Sequence, residues 1–341
     1  MQKQLALATI IPWGLRHRLL IPLIFGMSTS TLQAAPIAIT NPGFEDISGE
    51  SPSNEFTFGP LNGWDLYDPN LITSGGAGGT YFIGTLTPFE PDPIGSPGEY
   101  ANFPDGAAEG QRVGIAFNFQ GSDGQGEYGF EQVLNVTLQA NTLYTLQVEI
   151  GNIDSATAMN GTFFPLAGFP GYRVDLFTRD LGGDENLDSD DDSLAGSISD
   201  GEFGTSTITF ATGAEHPQLG EDLGIRLVNL NQLDPSFPLS DIEVDFDDAG
   251  LDASALTPGD LNADGAVNGA DFLAWQREFP ALYGTTDLAN WETNYGNMAV
   301  GALSYHSVPE SSTVALSLIA FLQILIRRRF FQGLQIFRSR C

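Results

Sequence analysis

The sequence predicts a mainly β protein: a β-sandwich, then a small α-helical calcium-binding module, then a C-terminal hydrophobic helix. Three observations predict it. Short alternating or β-branched runs, separated by Gly, Pro, Asn and Asp clusters, fill residues 36–252. Helical periodicity first becomes clear at Asp271, directly behind a loop with a cation-binding pattern. An apolar run backed by three arginines lies near the end of the chain.

The two ends are basic. Residues 1–35 hold Lys3, Arg16 and Arg18 and no acid, and the apolar run Leu19 to Met27 precedes the polar STSTLQAA. This reads as a secretory signal peptide cleaved after Ala34 or Ala35. The run falls short of the about 20 apolar residues a membrane span needs. At the other end, Thr313 to Ile326 is apolar and Arg327, Arg328 and Arg329 follow it. That arrangement is a stop-transfer element, so a transmembrane helix is expected over 313–326, within a tail of 308–341 behind a 299–307 linker.

The body between them is strongly acidic. The chain carries a formal net charge of −30, and all 43 acids lie within 36–310. The bases there are Arg112, Arg173, Arg179, Arg226 and Arg277, with no lysine. A nucleic-acid partner is excluded, because phosphate binding needs Lys and Arg. Divalent cations are the favoured small partners. Cys341 is the only cysteine, which removes internal disulfides, Cys-based metal sites and a Cys nucleophile. Of His17, His216 and His306, only His216 lies in the body away from the termini, and Pro217 follows it in a polar stretch. No catalytic and no cofactor-binding residue is assigned, and the chain is expected not to be an enzyme.

The strands expected in 36–252 are Ala38–Ile39, Arg112–Phe119, Glu131–Leu138, Thr142–Ile150, Tyr172–Phe177, Ser206–Phe210, Leu223–Leu230 and Ile242–Phe246. In Thr142–Ile150 the even positions, Tyr144, Leu146, Val148 and Ile150, make an inward face. Leu138 to Thr142 reads as a turn closing a hairpin between its flanking strands. Trp64, after Asn62-Gly63, is expected in the core. Tyr67, Tyr81, Phe82 and Phe89 flank or fall within a Gly/Pro-rich stretch, 68–110, that could supply binding loops. The aromatic, Pro-broken loop Phe163 to Tyr172 is the best local candidate for a ligand-facing patch. Asp184 to Glu202, dense in acid, is expected to be a solvated, flexible insertion.

After a linker at 253–258, residues 259–298 open with GDLNADGAVNGAD. Counting Asp260 as position 1, Asn262, Asp264, Asn268 and Asp271 fall at positions 3, 5, 9 and 12, with Gly265 at 6. This is the EF-hand-type pattern with Asp at the last position. Asp260, Asn262 and Asp264 are expected to converge on calcium. Gly265 would bring in the Ala266 carbonyl, and Asn268 and Asp271 would complete the shell. A helix follows to Phe279, ended by Pro280, and a second runs from about Asp287 to Tyr295. Asp271, Phe272, Trp275 and Phe279 recur as Asp287, Leu288, Trp291 and Tyr295, which would place Trp275 near Trp291.

Three resemblances add to this reading. Asn41-Pro42-Gly43-Phe44-Glu45, Phe130 to Leu134 and Glu243 to Asp248 together resemble the galactose-binding-like jelly rolls, including carbohydrate-binding modules. That resemblance implies a structural calcium held by Glu45, Asp247 and Asp248. The calcium loop with its paired helices resembles a type I dockerin, with a degenerate second half that lacks ligands. It implies one calcium and a cohesin-like partner. Val308-Pro309-Glu310, the apolar run and the arginines resemble the PEP-CTERM sorting tail, which implies processing by an exosortase-type protease and transient membrane anchoring through 313–326. The expected function is that of a secreted, non-catalytic, calcium-stabilised protein of the cell envelope or extracellular matrix, binding polysaccharide or a matrix partner. A glycoside hydrolase carrying a dockerin and a structural surface-layer component stay open as alternatives.

Overall fold

The computed structural model describes residues 34–78, 80–88, 102–119 and 126–298. The strands are β1 (Ala35–Ile37), β2 (Phe56–Phe58), β3 (Asp65–Tyr67), β4 (Ala77–Gly78), β5 (Tyr81–Leu86), β6 (Val113–Asn118), β7 (Tyr128–Thr137) and β8 (Thr142–Asn152). They continue as β9 (Ala156–Thr157), β10 (Phe163–Phe164), β11 (Tyr172–Asp180), β12 (Gly183–Asp191), β13 (Glu202–Ala211), β14 (Asp222–Asn229) and β15 (Ile242–Ala255). Two helices follow, α1 (Gly269–Glu278) and α2 (Thr285–Asn294). The fold is mainly β, as the alternating pattern predicts. Among the described residues no helix is long and apolar enough to cross a membrane. Residues 1–33 and 299–341 lie outside the described residues, and with them most of the expected signal peptide, helix 313–326 and the whole tail.

One sheet has eight strands, running β13-β8-β15-β6-β5-β2, with β1 on β15 and β4 on β5. The other runs β12-β11-β14-β7-β3. Their facing sides bury one core. Tyr144, Leu146, Val148, Ile150, Val244 and Phe246 come from the first sheet, and Phe130, Val174, Leu176, Ile225 and Leu227 from the second. The even positions of β8 face inward as expected. Trp64 is 1 % exposed, stacks on Phe44 at 5.2 Å and donates its Nε1–H to the Asn41 carbonyl at 2.8 Å, so it is core.

The expected hairpin across 138–142 does not form. β7 pairs with β14 and β3 in one sheet, whereas β8 pairs with β13 and β15 in the other. The turn is an arch between sheets. Inward alternation on both flanking strands suits an arch as well as a hairpin, so pattern alone does not separate them. The acid-dense segment also differs from expectation. Gly183–Asp191 is an ordered edge strand against β11, and only 192–201 is turn and bend. Its carboxylates have partners: Asp184 binds Arg179 and Arg226, and Asp190 accepts from Tyr172 and Ser206. An exposed edge tolerates such charge and is protected by it from pairing with another chain.

The eight-stranded sheet is covered on its outer side too. Alternate residues of β5 and β6, namely Phe82, Leu86, Val113, Ile115 and Phe117, point away from the main core. They pack with Phe103, Ile153, Phe164 and Leu166 from the loops and short strands above, and with Phe203 of β13 in the same sheet. Gly151 permits this close approach, since a Cβ there would meet Phe103 at 2.7 Å and the Asp245 Cβ at 2.9 Å.

Candidate active site

The second cluster encloses a cavity of about 130 Å³ on the outer face of the eight-stranded sheet. Strands β2, β5 and β6 supply Phe56, Phe58, Phe82, Ile115 and Phe117. Phe119 adjoins β6, and the β9–β10 ribbon contributes Phe164. Phe117 is the centre of the ring set, with Phe119 edge-on at 4.6 Å, Phe164 edge-on at 5.8 Å and Phe82 at 6.2 Å. Phe58 and Phe119 are each 40 % exposed and form the rim. A dry engineered cavity of about 150 Å³ holds benzene, so this one is sized for about one six-membered ring, and a larger molecule extends past the open Phe58–Phe119 rim.

Among the described residues, two carboxyl groups line the apolar space, Glu55 and Glu243. Glu243 lies on β15 opposite Phe117, in the register that puts Asp245 opposite Ile115. Glu243 and Asp245 therefore share the outer face, while Val244 and Phe246 enter the main core. Glu243 is 5 % exposed, and its Oε1 has no hydrogen-bond partner. Burial, and then the negative charge of Asp241, pushes its pKa up to about 8. Asp245 lies fully buried with both oxygens unpartnered, and burial followed by repulsion from Glu243 lifts it well above the carboxylate range. At neutral pH the site therefore presents a protonated carboxylic acid to a cavity walled by phenyl rings. Glu55 is 2 % exposed. Its Oε1 accepts the Met159 N–H at 2.7 Å, and its Oε2 is buried without a partner.

The residues expected to bind calcium are placed as follows. Asp247 accepts the N–H groups of Glu109 and Asp248, at 2.7 and 2.8 Å, and burial raises its pKa to about 7. Glu45 accepts from the Gln111 and Arg112 N–H groups, both at 2.6 Å. Asp248 is exposed on the β15 bulge, in a left-handed conformation with φ 43°. The acid beside Asp247 is Glu109, whose carboxylate lies with Asp247 against Gly43; the sequence reading missed it. In the loop, Asp260 Oδ2 accepts the Gly265 N–H at 3.0 Å, and Asp260 Oδ1 is buried and unpartnered. Asn262 and Asp264 bond each other, and the Ala266 carbonyl accepts from the Asn268 side chain. Asp271 is wholly buried and accepts from the N–H groups of Leu261, Asn262 and Asn268. Among the described residues no group of three or more His, Cys, Asp or Glu is gathered to hold a metal ion.

A model of the HpiC1-like family, described as HpiC1 cyclase, matches residues 35–252. The chain belongs to the HpiC1-like family. The match spans the sandwich from β1 into β15, including every strand of the cavity, and ends before α1 and α2. Among solved structures, the Stig cyclase Fisc from Fischerella sp. TAU, in complex with (3Z)-3-(1-methyl-2-pyrrolidinylidene)-3H-indole, is 35% identical, with 66% of this chain and 100% of that one covered and a TM-score of 0.50. A cyclase from Fischerella sp. TAU in complex with 4-(1H-indol-3-yl)butan-2-one is 34% identical, covering 65% of this chain and 99% of that one, with a TM-score of 0.52. No curated protein matches.

Membership of the HpiC1-like family corrects four expectations. The sandwich is that of a cyclase family, not of a carbohydrate-binding module, and the family is enzymatic where no enzyme was expected. The reading as a non-catalytic matrix-binding protein falls with them. The dockerin and PEP-CTERM resemblances find no support in the comparisons, which place the chain among cyclases.

The helical appendage explains its own misreading. Asp287, which repeats Asp271, is fully buried and accepts N–H groups of Ala214 and Gly284, so it ties α2 to the sandwich. The indoles of Trp275 and Trp291 bond the carbonyls of Gly284 and Asn268, and Phe272 packs against both rings. His216 is buried under Phe210, and desolvation lowers its pKa. The sequence does point to part of the cavity: Phe164 and Leu166 belong to the Phe163–Tyr172 loop, and Phe82 lies in the 68–110 stretch expected to supply binding loops. It missed Glu243 as an acid and Glu55 altogether.

Proposed function

We propose that this chain is a cyclase that closes a ring within a 3-substituted indole by acid catalysis in the phenylalanine-walled cavity, with Glu243 as the proton donor. The observation that carries this is the buried, protonated carboxyl of Glu243, whose Oε1 has no hydrogen-bond partner, facing that cavity. The Glu243 O–H protonates a π bond of the substrate and leaves a carbocation. A second π bond of the same molecule attacks it, forming one C–C bond and consuming one π bond. The new cation loses a proton, which returns to the Glu243 carboxylate. Product and substrate have the same mass, and no oxidant or reductant is consumed. Phenyl faces stabilise cationic charge, and a dry cavity keeps water from capturing it. The test offers full-length protein a set of 3-alkenyl indoles and follows them by chromatography and NMR. Mass-neutral conversion that Glu243→Gln abolishes supports the reading; no conversion by the wild type, or undiminished conversion by the variant, rejects it.

We also propose that the 260–271 loop binds calcium, with Asp260 Oδ1 as its anchoring ligand beside Asn262 and Asp264. The support is that oxygen's burial without a partner, in a loop of EF-hand pattern. Calcium titration of the full chain by calorimetry should lose one site in Asp260→Ala. An unchanged stoichiometry would remove the assignment. Glu45 and Asp247 stand as proposed ligands of a second calcium, now with Glu109 in place of Asp248, and Asp247→Ala tests it in the same titration. Export through the 1–35 segment is likewise our inference, and an intact Met1 on protein recovered from its natural host would reject it.

A further inference from the structure

We propose that calcium bound in the 260–271 loop locks the two-helix appendage onto the end of the sandwich where β8, β13 and β15 meet, so that calcium sets the local stability of that end. This rests on the loop being a calcium site. The loop, α1 and α2 lie outside the 35–252 span of the family match. On the sandwich side, the turn after β13 and the arch at 138–142 are knitted together. The Asn141 N–H donates to the Gly213 carbonyl at 3.2 Å, the Thr212 N–H to the Thr142 carbonyl at 2.9 Å, and the Thr212 hydroxyl to the Gln139 carbonyl at 2.6 Å. The Asn141 carbonyl accepts the Leu256 N–H at 2.7 Å, just past β15. On the appendage side, Asp287 accepts the Ala214 N–H at 2.5 Å, and the N–H and hydroxyl of Thr286 donate to Glu215 at 3.0 and 2.6 Å. The approach is close enough to require glycine: a Cβ on Gly213 would collide with the Asp287 carboxylate and stand 2.9 Å from the Tyr283 ring.

The segment that grips the sandwich also holds the calcium loop. The Tyr283 hydroxyl donates to the Leu261 carbonyl at 3.1 Å, the Trp291 indole N–H to the Asn268 carbonyl at 2.6 Å, and the Asn294 amide to the Pro258 carbonyl at 2.9 Å. Tyr283 thus touches both partners, its ring against Gly213 and its hydroxyl on the loop. The appendage is too small to keep this shape alone. Its buried apolar cluster is Leu261, Ala274 and Tyr283, with Trp275 partly buried against them. A core of that size needs a staple, and a metal supplies one, because binding to a site absent from the unfolded chain contributes directly to folding. Asp260 Oδ1, buried without a partner, costs stability until a cation satisfies it. Loss of calcium therefore loosens the loop, then α2, then the turn and arch that α2 grips. The cavity lies at the other end of β8, which runs from Thr142 to Asn152, roughly 34 Å at about 3.4 Å per residue, and Ile153 of the cavity wall follows. Calcium in this loop acts on stability and leaves the cavity unchanged.

The experiment reads hydrogen exchange by mass spectrometry on the full-length protein, in excess calcium and in EGTA, beside calorimetric calcium titration. Calcium at about 100 times its dissociation constant should slow exchange in 139–142 and 212–216 of the wild type by about 100-fold, since ligation multiplies the closed-to-open ratio by about that factor. Asp260→Ala should lose both that protection and one calcium. Gly213→Ala should keep the loop's calcium and lose the protection at 212–216, because it pushes α2 off the sandwich without touching the loop. If Gly213→Ala does not fold by circular dichroism, Glu215→Ala, which removes the acceptor of Thr286, should cut the protection by about tenfold, the worth of a hydrogen bond to a charged group. Calcium that binds in the loop yet leaves exchange at 212–216 unchanged overturns the lock and leaves the calcium site standing. So does protection that survives in Asp260→Ala or in the folded undocking variant. An unchanged stoichiometry in Asp260→Ala overturns both.

Discussion

Replacing Glu243 with Gln separates a catalytic acid from a structural residue, because the two roles move activity and stability in opposite directions. The carboxyl titrates near 4.5 when exposed and at about 8 in the fold. Its folded-state pKa is raised, so the native state holds a proton that the unfolded chain releases. Its contribution to stability is intact below about pH 4.5 and is lost progressively as pH rises towards 8. The loss runs at roughly 1.4 kcal/mol per pH unit, or roughly 5 kcal/mol in all. Gln has no proton to lose, so between about pH 5 and 8 the difference between variant and wild type should shift in favour of the variant by roughly 1.4 kcal/mol per unit. Over the same range its kcat should be lower by about 10²- to 10⁴-fold, the worth of a positioned proton donor. Wild-type turnover should itself fall as pH passes through about 8. Urea unfolding at a series of pH values and turnover on one indole substrate supply both measurements. A stability difference that is flat with pH, or a kcat within tenfold of wild type, would refute the reasoning.

Two other substitutions probe the walls and the appendage. Phe117→Leu keeps most of the volume but removes the ring that contacts Phe82, Phe119 and Phe164; cation–π stabilisation of about 0.5–2 kcal/mol predicts a kcat lower by about 2- to 30-fold, and an unchanged kcat would count against a cationic intermediate. Asp287→Ala leaves the N–H groups of Ala214 and Gly284 without their acceptor, at about 1–3 kcal/mol for each buried group; hydrogen exchange in 283–294 should speed up while indole binding in the cavity holds, and unaltered exchange would show that other contacts fix α2.

The sheets were legible where alternation was local. Thr142–Ile150 announces its buried face, and Asp271 announces the start of α1 through its place in the capping box with Asn268. Pairing was less legible, because the turn at 138–142 is compatible with a hairpin and with an arch. The cavity was least legible of all. In Ile242–Phe246 the acids alternate with Val244 and Phe246, and an antiparallel sheet usually leaves that second face to water. Here Phe103, Phe164 and Leu166 come from distant segments to cover it, and no local pattern in β15 reports that. The available signal was the closing strand's own outward set, Glu243, Asp245 and Asp247, read beside the aromatic loop at 163–172. The dockerin-like reading failed for the opposite reason: a short loop motif is specific about its own turn and says nothing about the rest of the chain.

The composition had seemed to exclude catalysis, and the reason it does not is chemical. Scarce histidine and a single terminal cysteine remove nucleophilic triads and thiol chemistry. They place no limit on acid-catalysed ring closure, which needs one neutral carboxyl, shielding from water and π faces to steady a cation. A chain with 43 acids and 24 phenylalanines has those materials in excess. What it must add is desolvation of one acid. A sheet with a single buried face would leave Glu243 solvated, ionised and useless as a donor near neutral pH. The second cluster on the outer face supplies the burial that holds the proton and the rings that receive the charge. The same packing that shapes the cavity therefore sets the acidity of the group inside it, and a change that wets the outer face should lower the pKa of Glu243 and the rate together.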